Sequence, residues 1–181
     1  KALDKTEADV FLIDRSNHHL FQPLLYQVAT AALSPADIAS ATRVMFSKTS
    51  NVSVVMDEVT GIDAAQRQVT ARNSGSIHYD FLILATGAEY SFFGNDAWAA
   101  HAPVLKSIDD ALHIRARLLA AFEVAERCDD PEEIRHLLTF ALVGGGPTGI
   151  EMAGAIAELA RTALSGNFRR ISEEDVRILL V

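Results

Sequence analysis

Cysteine is almost missing from this chain: Cys128 is the single one among 181 residues. One thiol excludes an internal disulfide, and such scarcity fits a reducing compartment. Cys128 also lies among Glu126, Asp129 and Asp130, which disfavours a reactive thiolate. No apolar run reaches the roughly 18 residues that read as a membrane span. Basic residues are in the minority, 16 Lys and Arg against 24 Asp and Glu, for a formal charge of −8. That balance argues against nucleic acid as a partner and gives no pull toward an anionic membrane surface. The six histidines fall at no ligand spacing, so His18-His19 reads as a polar turn after a strand and no metal is expected. No serine sits in a G-x-S-x-G elbow, which removes support for serine hydrolysis. Repeats, low-complexity tracts and a signal peptide are not visible, and Lys1 is not a natural start.

What is present is an ordinary globular composition, 49% hydrophobic and 22% charged, with enough length for a sizeable core. Strand and helix patterns alternate, which points to an α/β architecture. Ala8–Asp14 is a short apolar strand closing on an acid. Phe21–Ala32 is apolar-rich, Ser34-Pro35 breaks it, and Ala36–Phe46 has the spacing of a second helix. Val52–Val59, Gln68–Ala71 and Tyr79–Leu84, with the turn Asn73–Ser76, predict an antiparallel meander. An aromatic loop follows (Tyr90, Phe92, Phe93, Trp98). Ser107 and Asp110 then mark a helix start of capping-box type, and Ala111, Ile114, Leu118, Phe122 and Ala125 share one helix face. Asp130-Pro131 with Glu133 marks another start.

The most informative run is residues 136–162. The apolar stretch Leu137–Val143 ends in Gly144-Gly145-Gly146-Pro147-Thr148-Gly149 and passes directly into a helical pattern. This is G-x-G-x-x-G in the strand–turn–helix setting where it has mechanical meaning. Gly144 serves the tight turn, Gly146 lets backbone approach a pyrophosphate, and Gly149 lets helix pack on strand. The helix N-terminus then offers unpaired N–H groups to phosphate. Such a motif usually has an acid closing the next strand, but Asp175–Val181 reaches the chain end without one. The start is the mirror image, with the acid Asp14 and no glycine loop before it. The expectation is a piece of a longer protein, cut inside two successive dinucleotide folds.

Three strings, NHHLFQPLLYQVATAALSPADIA (17–39), YDFLILATGA (79–88) and FALVGGGPTGIEMAGAIAELA (140–160), together resemble the type II NADH dehydrogenases. These are flavoproteins with two dinucleotide-binding domains. The resemblance runs along the whole chain in order, and its first string is the most specific. It implies two Rossmann-like domains of the FAD/NAD(P)-binding fold, both incomplete here: a partial FAD domain over 1–105 containing the meander, and the first part of an NADH domain over 106–181. It implies FAD and NADH as cofactors, with Asp14 on the FAD ribose and backbone at Val59 near the adenine. Ala85-Thr86-Gly87 should close a buried strand beside the cofactor, and Gln22-Pro23 should lie near the flavin ring, although many relatives carry Thr in place of Gln22. On the nicotinamide side it assigns Gly144, Gly146, Pro147, Thr148 and Gly149 to the NADH loop. Glu151 becomes the residue at the nicotinamide–flavin contact; any acid near a helix start would also be favoured there.

The implied activity is hydride transfer from NADH to FAD and passage of two electrons to a membrane quinone, without proton pumping. The cofactors carry that chemistry and the protein orients them. A respiratory-chain protein of this kind is expected on the cytoplasmic face of the inner membrane. Attachment would come through a C-terminal part beyond this chain, and a homodimer is an open option. Phe21–Leu33 is the apolar segment nearest to a quinone path, with Gln27 its polar position; the plainer reading is a helix packed in the FAD-domain core. Disulfide reductases of the superfamily need a cysteine pair that is missing here, and sulfide:quinone reductases also need cysteines near the flavin. Ferredoxin or rubredoxin reductases remain an alternative on the superfamily motifs, as does an NAD(H)-binding sensor without turnover. The 181 residues alone are expected to be inactive.

Overall fold

The computed structural model describes residues 7–181, so Lys1 lies outside it. In chain order the elements are β1 (Val10–Asp14), β2 (His18–Leu20), a 3-10 turn (Gln22–Leu24), α1 (Leu25–Ala29), α2 (Pro35–Ile38), β3 (Ala39–Ala41) and α3 (Thr42–Met45). Next come β4 (Val52–Met56), β5 (Val59–Asp63), β6 (Gln68–Ala71), β7 (Gly75–His78) and a 3-10 turn at Asp96–Ala100. Then follow α4 (Ile108–Arg127), α5 (Pro131–Leu137), β8 (Thr139–Leu142), α6 (Pro147–Leu159), short helical turns at Ala160–Leu164, Ser165–Asn167 and Glu173–Asp175, and β9 (Arg177–Leu180). Two compact units result among the described residues, one from the described part of the chain up to Leu20 with Ala39–Ala88, the other from Phe21–Ile38 with Glu89–Val181.

In the first unit β1 runs parallel to β4, from Val10 opposite Val52 to Asp14 opposite Met56. β2 pairs antiparallel with β3, and β5, β6 and β7 form an antiparallel meander with an irregularity between Val59 and Gly61. Three expectations are corrected here. Val52–Val59 is not one strand: its first five residues pair with β1 and only Val59 begins the meander. A run rich in Val suits a parallel ladder as well as a hairpin, and periodicity cannot choose between them. The third meander strand is Gly75–His78 rather than Tyr79–Leu84, because Gly75 at φ +73° closes a tight turn opposite Ala71. Phe81–Leu84 forms no strand, and Phe81 and Ile83 are 94% and 83% exposed. The expected helix Ala36–Phe46 is interrupted by β3, where pairing with β2 overrides local helix propensity.

In the second unit the helix starts fall where the sequence sets them. Ser107 Oγ accepts from Asp110 N–H at 3.1 Å and Asp110 Oδ2 accepts from Ser107 N–H at 2.8 Å, the reciprocal capping box of α4. Asp130 caps α5 through Glu132 N–H, with Pro131 in the first turn. Ala111, Leu118, Phe122 and Ala125 on one face of α4 are buried. Phe122 meets Phe140 of β8 edge-on at 5.9 Å and Phe168 at 6.3 Å. Leu25, Val28 and Ala29 bury the apolar side of α1, which packs against α4 and α6.

Candidate functional site

β8 and β9 form a parallel pair, Thr139 opposite Arg177 through Leu142 opposite Leu180. The ladder continues into the glycine loop: Val181 N–H donates to Leu142 O and Gly144 N–H to Val181 O, each at 2.8 Å. The chain turns at Gly144, whose φ of +106° lies in the region that side chains disfavour. Gly149 is needed for a different reason. A Cβ there would stand 2.0 Å from Gly144 O and 3.4 Å from Leu180 Cδ1. Gly146 lies between these two cases. It is the N-cap of α6, and a Cβ on it, as on Gly145, would meet nothing within 4 Å.

No side chain caps α6 and no acid occupies its first turn. The orphan N–H groups and the positive end of a 13-residue helix therefore face the open side of the loop. Pro147 at the first position lacks an N–H and is pre-set for the helix. This is a built anion cradle: a tight turn, a helix start without internal caps, and space over the glycines for a phosphate pair. The residues fit a pyrophosphate.

Glu151 is the fifth residue of α6, beyond the turn in which a helix dipole acts appreciably. Its exposed side chain lines a groove of about 450 Å³ that also takes in Tyr26, Gln27, Thr30 and Glu158. Gln27 Nε2 donates to Tyr26 Oη at 3.1 Å, and the Thr30 hydroxyl to Tyr26 O at 2.9 Å. Gln27 and Glu151 thus share one groove inside the second unit, and Gln22 and Pro23 form the 3-10 turn just before α1.

The remaining candidates fall in the first unit. Asp14 ends β1, and its Oδ1 accepts from Ser16 N–H at 2.8 Å. A carboxylate held in this way at the end of a parallel strand is chemically suited to accept from a pair of vicinal hydroxyls. Val59 opens β5, two residues after Asp57, whose N–H donates to Asp14 O at 3.0 Å; the two candidates therefore border one junction. Ala85, Thr86 and Gly87 are exposed and follow no strand, contrary to the expected buried strand end, and Gly87 alone keeps a turn geometry at φ +75°.

Asp57 itself was not legible as a special residue. It is 5% exposed and accepts from Glu58 N–H, Asn73 N–H and Nδ2, and Ser74 N–H and Oγ, the last at 2.6 Å. The Ser74 hydroxyl, helped by these backbone donors and opposed by burial, holds the carboxyl well below the usual range. The advance signal was the polar turn Asn73–Ser76, whose donors the sequence does not assign to Asp57. In the second unit Glu126 has a similar place, accepting from the N–H groups of Arg169, Arg170 and Ile171. These bonds, Arg169 foremost, lower its pKa. Among the described residues no cluster of His, Cys, Asp and Glu could hold a metal ion, and no helix is long and apolar enough to cross a membrane.

Strand, glycine turn and uncapped helix define a dinucleotide-binding α/β protein. A family model described as pyridine nucleotide-disulphide oxidoreductase matches residues 1–179, and the chain belongs to that family, with its FAD/NAD(P)-binding Rossmann-type fold. It is 52% identical, over its whole length, to the type II NADH:quinone oxidoreductase Ndh of Mycobacterium tuberculosis, covering 40% of that relative. The second such enzyme of the same organism, NdhA, is 48% identical with 39% covered. The structure of NDH2 from Plasmodium falciparum in complex with NADH superposes with a TM-score of 0.84 at 28% identity, over 95% of this chain and 36% of that one. The chain thus spans about two fifths of the length of the curated relatives it matches.

Proposed function

We propose that the whole protein to which these 181 residues belong is an FAD-dependent NADH:quinone oxidoreductase that does not pump protons. The observation that carries this reading is the cradle between β8 and α6, in a chain 52% identical to a type II NADH:quinone oxidoreductase. Domain 1–105 is the FAD side and 106–181 the start of the NADH side. Gly144, Gly146, Pro147, Thr148 and Gly149 form the loop at the NADH pyrophosphate: Gly144 and Pro147 shape the turn and the helix start, and the N–H groups of Gly146, Thr148 and Gly149 with the helix end face the phosphates. Glu151 sets position and charge at the nicotinamide–flavin contact. Asp14 accepts from the FAD ribose, backbone at Val59 meets the adenine, and Gln22-Pro23 and Ala85-Thr86-Gly87 border the flavin.

When bound, the two cofactors supply the hydride donor and acceptor. The chain's own task is orientation, which requires the reacting atoms to be held a few ångströms apart. Quinone is the electron acceptor. Attachment to the cytoplasmic face of the inner membrane, and any homodimer, belong to the whole protein, and the 181 residues alone do not turn over. The test is anaerobic mixing of the whole flavoprotein with NADH and then with a soluble quinone, followed by flavin absorbance. Rapid bleaching and rapid recovery on quinone are expected. Bleaching without recovery points to a ferredoxin-type acceptor, and no bleaching leaves a nucleotide sensor.

A further inference from the structure

One carboxylate ties together the two strand ends that border the proposed adenosine site. Asp57 stands between β4 and β5, and its N–H extends the parallel ladder by donating to Asp14 O at 3.0 Å. Its Oδ1 accepts from Glu58 N–H at 2.8 Å, the residue immediately before Val59, and from Asn73 Nδ2 at 3.1 Å. Its Oδ2 accepts from Ser74 N–H at 2.7 Å, Ser74 Oγ at 2.6 Å and Asn73 N–H at 3.0 Å. The turn between β6 and β7 is thereby fastened to the bend between β4 and β5. Without the carboxylate three backbone N–H groups lose their acceptor, and the bend that directs Val59 is free to relax.

We propose that Asp57 is the positioning residue for the adenosine half of the flavin nucleotide, acting through Asp14 and Val59. The inference rests on the FAD reading above. It differs from a merely stabilising role in its selectivity. FMN carries the flavin without the adenosine, so loss of the Asp57 clamp weakens FAD and leaves FMN alone. General loosening weakens both.

The experiment uses the whole protein stripped of flavin, as the parent and as Asp57→Asn, with FAD and FMN titrated by fluorescence. The Kd for FAD should rise on the order of tenfold, the scale of a hydrogen bond to a charged group, with the Kd for FMN unchanged. Ser74→Ala removes only the hydroxyl donor, keeps the fold if Asp57→Asn does not, and should give a smaller FAD-selective rise. An unchanged Kd for FAD, or equal rises for FAD and FMN, overturns the role of Asp57. A parent that takes up no FAD overturns the reading beneath it instead.

Discussion

A methyl group added at Gly149 lands 2.0 Å from the carbonyl oxygen of Gly144, and one added at Gly146 meets nothing. Single residues three apart in one loop therefore separate folding from binding. Gly149→Ala must push the loop or α6 away from β8, at a cost of about 2–3 kcal/mol of overpacking, visible as a lower thermal midpoint. Gly146→Ala should melt with the parent, while its Cβ takes the space a pyrophosphate needs. Its Kd for NADH is expected to rise about ten- to hundredfold, the worth of one or two hydrogen bonds to a charged group. Equal melting of the two variants would show that the close approach at Gly149 is not what shapes the loop. Acid sensitivity belongs to the same scale. Asp57 and Glu126 have folded-state pKa values below their ordinary ones. The unfolded chain therefore binds protons first, and their contribution is complete above the ordinary carboxylate range near pH 4 and lost as pH falls through it toward the lowered values. Melts between about pH 3 and pH 7 should show a steeper acid decline in the parent than in Asp57→Asn.

Elements were legible in the sequence where one local signal sufficed to make them. The α4 start needs only Ser107 and Asp110, and its buried face needs only a three- and four-residue spacing; both stand as the pattern has them. Ser107→Ala should cost about 1 kcal/mol, whereas Phe122→Ala, which removes a ring 1% exposed between Phe140 and Phe168, should cost about 3–5 kcal/mol. A chemical melt of both variants checks the ranking. What the sequence concealed was pairing across distance. Val52–Met56 has strand character by composition, but only its partner Val10–Asp14 decides that it lies parallel in one sheet and outside the meander. Ala39–Ala41 has helical neighbours on both sides and is a strand only because His18–Leu20 lies opposite. Asp57 was hidden for the same reason, since all its donors but the adjacent Glu58 N–H come from a turn 16 and 17 residues away. The glycine cradle was readable because strand, loop and helix are contiguous, and the close approach of Gly149 to Gly144 lies within that one segment; its pairing with Leu180 and Val181 at the end of β9 was not.

At the scale of the whole molecule the exposed run Phe81–Leu84 sets an expectation of its own. Strand-like residues in a row, with Phe81 and Ile83 almost wholly exposed and Leu84 at 65%, form a contiguous apolar patch of the kind that monomeric proteins seldom leave open. Unpaired backbone in such a run is also a template for edge-to-edge association. The matched relatives are more than twice as long as this chain, and a whole protein of that length, as proposed above, would have further chain with which to cover the run. Residues 1–181 expressed alone should therefore bind the dye ANS strongly and associate as concentration rises, while the whole protein does neither. Ile83→Lys offers the control. In the isolated chain it breaks the patch and should lower both dye binding and association. In the whole protein, where the run is expected to be covered, it buries an unpaired charge and should destabilise by several kcal/mol. If Ile83→Lys leaves the stability of the whole protein unchanged, the run is a surface loop in the complete molecule too, and the proposed place of Ala85 to Gly87 beside the flavin loses its support.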